Sequence, residues 1–144
     1  MGSGMAKNLI HNGFESFGYD LSVQRLEAFK ALGGNAVADP HEMGSLVDAV
    51  SIMVMNGRQV DDVIFGDRGL IHSMKPSSGI IVTATIKASE IRAVARQLQG
   101  SKIQLIDSPV SGGFPGAQSG TLTMMAAGSG DSLNKFAPVM EAVS

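Results

Sequence analysis

The sequence predicts an α/β fold built on a mostly parallel sheet, and three observations predict it. Short apolar and β-branched runs alternate along the chain with segments of helical period. Two of these runs, residues 49–55 and 80–82, are almost continuously apolar, as strands covered on both faces are. The clearest helical segment follows the second run, with Ile91, Val94, Ala95 and Leu98 at i, i+3, i+4 and i+7. A chain of 144 residues accommodates one such domain around a single core.

Each element has its own signal. A first helix is expected over residues 4–12, with Gly13 ending it as a left-handed cap. Residues 14–19 read as a short strand. Residues 22–32 are amphipathic: Val23, Leu26, Phe29 and Leu32 fall near one face, Arg25 and Lys30 lie outside it, and Gly33-Gly34 ends the helix. Residues 35–38 form a brief strand. Asp39-Pro40-His41-Glu42 combines a capping residue, a proline in the first turn and an acid three positions after the cap. Those features start a short helix ending near Val47.

The strand at 49–55, broken only by Ser51, leads to a helix lined by Val60, Val63 and Ile64. Asp61 and Asp62 stand in its first turn, where the helix dipole favours negative charge. After a turn at Lys75-Pro76, the strand Ile80-Ile81-Val82 runs to Thr83-Ala84-Thr85, and the helix of Ile91 and Val94 stops at Gly100. Residues 103–106 form a strand entering Asp107-Ser108-Pro109. Residues 122–127 read as one more strand, and 131–143 as a last helix interrupted by Pro138. Residues 108–120, rich in Gly and Pro, are expected to be a long irregular loop, and such loops inside compact domains are usually functional or disordered.

Composition removes several function classes. The net charge is −2 and the eleven Lys and Arg form no run, so neither nucleic acid nor an anionic membrane is an expected partner. With no cysteine there is no disulfide, thiolate metal site or cysteine nucleophile, which fits a reducing compartment. No signal-peptide core and no bilayer-length apolar stretch is present, and a cytoplasmic location is the expectation. The nine methionines read as adaptable core filler. His11, His41 and His72 lack metal-ligand spacing, so no metal is expected. Asp61-Asp62 reads as a helix start, and Arg92 with Arg96 as a solvated stripe.

Open parallel sheets bind ligands at the carboxyl ends of their strands. Four such ends carry unusual residues: Asp20, Met55-Asn56, Thr85 and Ser111-Gly112-Gly113. A dinucleotide site needs glycines ahead of a helix whose free N–H groups hold the pyrophosphate, and an acid about twenty residues on for the ribose hydroxyls. Gly2-Ser3-Gly4 precedes a helix, and Asp20 lies eighteen residues after Gly2. On spacing alone these glycines are equally a cloning leader, and Asp20 equally a cap for the helix at Ser22. Asp107-Ser108-Pro109-Val110-Ser111-Gly112-Gly113 sets small residues with free N–H groups directly after a strand, a geometry able to cradle a carboxylate. The alternative is an ordinary surface loop.

These segments resemble the β-hydroxyacid dehydrogenases, the family of 3-hydroxyisobutyrate, tartronate-semialdehyde and L-threonate dehydrogenases. Asp107 through Gly113, followed by Gly116-Ala117, is similar to the family's Asp-Ala-Pro-Val-Ser-Gly-Gly and Gly-Ala, with Ser108 in place of Ala. Met1-Gly2 through Met5-Ala6-Lys7-Asn8-Leu9 is similar to the end of its opening fingerprint, which favours the pyrophosphate reading of Gly2. The resemblance extends over essentially the whole chain. It implies a Rossmann-type, doubly wound, mostly parallel sheet and an NAD cofactor, NADP being disfavoured by Asp20. By the same resemblance Gly2 lies near the pyrophosphate, Asp20 on the adenosine ribose, Met55 and Asn56 beside the cofactor and Thr85 on the nicotinamide side. Ser111, Gly112 and Gly113 anchor a small hydroxy-acid substrate, and residues 54–60 with Phe65-Gly66 are most similar to the L-threonate branch.

The chain departs from the family pattern at both ends. The family's first strand, which occupies the middle of the sheet, and the first two glycines have no counterpart before Met1. Without that strand, the strands ending at Tyr19 and Met55 are expected to lack a shared neighbour. The catalytic lysine belongs to a helical domain beyond residue 144, and none of Lys7, Lys30, Lys75, Lys87, Lys102 or Lys135 matches its motif. Residues 1–144 are therefore expected to be a partial NAD-binding domain, with no catalytic residue of its own and inactive alone. The full-length enzyme is expected to form a homo-oligomer. A non-catalytic NAD-binding module and a fragment that only assembles with other chains are the competing readings.

Overall fold

The computed structural model describes residues 1–144. Helix α1 (Gly2–His11) begins two residues earlier than expected and ends where Gly13 takes a φ of +88°. Strand β1 (Phe17–Gly18) is much shorter than the run that suggested it. Helix α2 (Val23–Ala31) is capped by Ser22, whose side chain accepts from the Arg25 amide. It buries none of its residues fully. Val23 is 71% exposed and Leu32 47%, so the expected apolar face is covered only in part, at Leu26 and Phe29.

What anchors α2 is Phe29. A Cβ added to Gly18 or to Gly34 would lie 2.5 or 2.3 Å from its ring, so two side-chain-free positions make room for one aromatic. Strand β2 (Asn35–Ala36) pairs with β1 in parallel. Helix α3 (Pro40–Gly44) starts as expected, with Asp39 accepting from the Glu42 amide and Glu42 accepting in return from the Ala38 amide. The hydrogen bond from the Glu42 amide, and Arg68 at 2.9 Å, hold the Asp39 carboxyl below its ordinary range. The helix stops at Gly44, short of Val47, and the Gly44 backbone packs closely against Ser73 and Leu70.

The core lies around a second, three-stranded sheet. Strands β3 (Ala49–Ile52), β4 (Gly79–Val82) and β5 (Gln104–Asp107) run parallel in that order. All four residues of β4 are buried. Helix α4 (Gly57–Phe65) and helix α5 (Ala88–Leu98) cover one face through Val60, Ile64, Val94 and Leu98, which pack with Ile52, Ile80 and Val82. Each fully buried aliphatic side chain here contributes roughly 1.5–3 kcal/mol. Strand β3 is fully covered on that face only: Val50 and Ile52 are buried, while on the other face Ala49 is half-buried and Ser51 exposed, which corrects the expectation of full cover on both sides.

The glycine-rich segment is not an irregular loop. It holds strand β6 (Val110–Ser111) and helix α6 (Gly113–Ser119). Strand β7 (Thr123–Met124) pairs with β6 antiparallel, so the expected strand at 122–127 is short and belongs to a separate ribbon. Helix α7 (Gly130–Glu141) runs through Pro138 without a break. A Cβ on Gly79 would meet the Phe136 ring at 2.4 Å, and that flat contact, with Ile81 and Ile106, holds α7 on the sheet. No helix is long and apolar enough to cross a membrane.

The expected lack of a shared neighbour is visible. The β1–β2 pair and the β3–β4–β5 sheet are not hydrogen-bonded to each other. Helix α1 packs instead against α6, where a Cβ on Gly4 would lie 2.7 Å from the Ala117 backbone.

Candidate functional site

The carboxyl ends of β3 and β4 open into one cavity of about 400 Å³, within the roughly 300–1,000 Å³ typical of small-molecule sites. Met55, Asn56 and Gly57 line one side and Thr85, Ile86, Lys87 and Glu90 the other. Three of the residues expected at a cofactor site, Met55, Asn56 and Thr85, therefore share a cavity. Short-range hydrogen bonds fix both rims. Asn56 Oδ1 accepts from the Gln59 amide, and the Met55 amide donates to Gln59 Oε1, closing the turn into α4 from both directions. Buried Thr83 donates from Oγ1 to the Ile52 carbonyl at 2.9 Å, tying the end of β4 to the end of β3. Met55 is 85% exposed, an apolar side chain left in solvent at the mouth.

The other expected residues lie outside this cavity. Gly2 is the first residue of α1 and faces Met53, just beyond the end of β3, with no side chain capping the helix. Asp20 follows β1 in the other sheet. Its Oδ1 accepts from the Ser22 amide at 2.8 Å and its Oδ2 stands 3.8 Å from Arg25, beside the start of α2, whose cap is Ser22 itself. Ser111 is exposed on β6 opposite Thr123. Gly112 and Gly113 follow with φ of +132° and +60°, a consecutive pair that L side chains rarely adopt. They turn the chain into α6, which lies against α1.

Sequence reasoning missed three features. Glu90 lines the cavity, and its part in starting α5 was hidden because the residue three positions earlier, Lys87, is not a capping type. Exposed Phe114 and Met125 flank the Ser111 ribbon, and nothing in a helical or strand period announces an uncovered side chain. Two groups at the end of β5 carry electrostatic cost. Burial raises the Asp107 carboxyl above its ordinary range, and Ser108 Oγ is buried without any hydrogen-bond partner. No cluster of His, Asp or Glu suited to a metal ion is present.

Comparison with known proteins agrees with this arrangement. The L-threonate dehydrogenase of Escherichia coli (strain K12) is 34% identical over 145 aligned residues, covering 100% of this chain and 48% of the relative. That of Cupriavidus necator is 35% identical over 144, with 100% and 48% covered. The chain spans about half the length of these relatives. Among solved structures, 3-hydroxyisobutyrate dehydrogenase from Salmonella typhimurium superposes with a TM-score of 0.94 at 35% identity, over 99% of this chain and 50% of that one. The Mycobacterium tuberculosis 3-hydroxyisobutyrate dehydrogenase, solved with L-serine, gives 0.93 at 26% identity, over 100% and 48%. The sequence profile of the NAD-binding domain of 6-phosphogluconate dehydrogenase matches residues 1–144. With parallel strands whose ends open on one cavity and a match along its full length, the chain belongs to that family of NAD-binding domains.

Proposed function

We propose that this chain is the cofactor-binding part of an NAD-dependent dehydrogenase acting on a small hydroxy acid of the L-threonate or 3-hydroxyisobutyrate type. The observation that carries the reading is the cavity at the ends of β3 and β4, lined by Met55, Asn56 and Thr85, in a chain matched throughout by a nicotinamide-cofactor family. Its volume and mixed polar and apolar lining suit the nicotinamide end of the cofactor. When bound, NAD supplies the hydride acceptor for oxidation of the substrate's carbinol carbon.

The chain's own residues bind and orient. Thr85 offers a hydroxyl at the cavity edge, and the Asn56 side-chain amide remains available for donation while its oxygen caps α4. Gly2, at the start of α1, allows close approach to the pyrophosphate. Asp20 accepts from the adenosine ribose hydroxyls, and its negative charge beside that position selects NAD over NADP. Ser111, Gly112 and Gly113 receive the substrate carboxylate. No lysine of the chain matches the family's proton-transferring lysine, so binding without turnover is expected of the chain alone.

Calorimetric titration with NAD and with NADP tests this. NAD should bind more tightly, and Asp20→Ala should weaken NAD by about tenfold, the loss of one charge-assisted hydrogen bond. Absence of NAD binding refutes the reading. Unchanged affinity in Asp20→Ala removes that residue from the site.

A further inference from the structure

Glu90 is the one fixed charge on the cavity wall. Its Oε2 accepts from the Lys87 amide at 2.8 Å. Its carboxyl lies flat against the first residue of α4: a Cβ added to Gly57 would stand 2.5 Å from Glu90 Cδ and 2.7 Å from both oxygens. The carboxylate is thus wedged where the N-termini of α4 and α5 converge, and any residue larger than glycine at position 57 would displace it. Lys87 also lines the cavity, but its side chain is exposed and forms no ion pair. Held in place by that amide, the half-buried carboxylate is less screened than the solvated, mobile ammonium of Lys87.

We infer that Glu90 is a specificity-determining residue that makes this cavity favour the oxidised, positively charged nicotinamide ring over the neutral reduced one. The inference rests on the proposal that the cavity receives the nicotinamide end of the cofactor. The two redox forms carry the same phosphates, ribose hydroxyls and adenine and differ by one positive charge on the ring. Contacts elsewhere therefore act on both nearly alike, and a charge on the cavity wall acts on the difference. In an intact enzyme the same bias would assist release of the reduced product.

The test is the ratio of dissociation constants for NAD⁺ and NADH, measured by titration of the chain and of Glu90→Gln. Glutamine keeps an acceptor for the Lys87 amide while removing the charge, and circular dichroism checks that the fold is retained. The variant should bind NAD⁺ about 3- to 10-fold less tightly relative to NADH. Binding of both forms with an unchanged ratio overturns this inference and leaves the proposed function standing. Failure to bind either form overturns both. Should the variant not fold, the salt dependence of the parent chain decides: the NAD⁺/NADH ratio should move against NAD⁺ as ionic strength rises, and a ratio independent of salt overturns the inference.

Discussion

At the scale of single residues, the end of β5 holds two groups whose chemistry and surroundings disagree. Ser108 is fully buried and its hydroxyl has no partner. An orphaned buried polar group costs about 1–3 kcal/mol, so Ser108→Ala, the residue the dehydrogenase pattern carries there, should raise stability by about 1 kcal/mol in denaturant unfolding. A loss of stability would mean that the hydroxyl has a partner. Asp107 differs in kind, because burial penalises only its ionised form. The folded chain then holds that proton more tightly than the unfolded chain. Its contribution is present below the unfolded carboxylate's range and is lost as pH rises through the folded one. Asp107→Asn should flatten this fall of stability with rising pH, and parallel pH profiles for parent and variant would exclude it. Both identities were plain in the sequence, but neither burial nor an absent partner is a property of a residue type.

At the scale of elements, local chemistry was legible and packing partners were not. The Asp39 to Glu42 start of α3 and the Gly13 stop after α1 appear as expected, because caps involve groups only a few residues apart. Helix α2 shows the opposite: its period is amphipathic, yet only Phe29 finds a deep seat, between Gly18 and Gly34. Gly4 is a similar case. Nothing local asks for glycine inside α1, where alanine would gain about 1 kcal/mol of helix propensity. The Ala117 backbone leaves no room for a methyl group. Gly4→Ala should therefore destabilise the chain by about 1–3 kcal/mol net, as overpacking usually does, with α1 and α6 separating. A thermal shift upward instead would show that the two helices can move apart at no cost. The glycine-rich segment differs from its sequence expectation for the same reason. Gly112 and Gly113 look like loop residues, and their positive φ values in fact turn the chain into a helix.

At the scale of the whole molecule, two parallel sheets lie unconnected, and each has an edge with unpaired ladder groups. Strand β3 pairs only with β4, and Ser51, exposed, directs its amide away from that partner. Hydrogen exchange should find the Ser51 amide far less protected than those of Ile80, Ile81 and Val82, which lie in a buried strand paired on both sides. Equal protection would show that something pairs with that edge in solution. By itself the sequence determined the alternation of strands and helices, the parallel character of the sheet, and the grouping of Met55, Asn56 and Thr85 at strand ends. Those follow from side-chain period and from turn chemistry, which act over a few residues. Only the tertiary structure decided that Glu90 stands against Gly57 and that the Ala117 backbone closes on Gly4. It also decided that Ser111 sits on an antiparallel ribbon outside the cavity. Each of these depends on which distant backbone comes close enough to exclude or admit a side chain, and no local pattern encodes that distance.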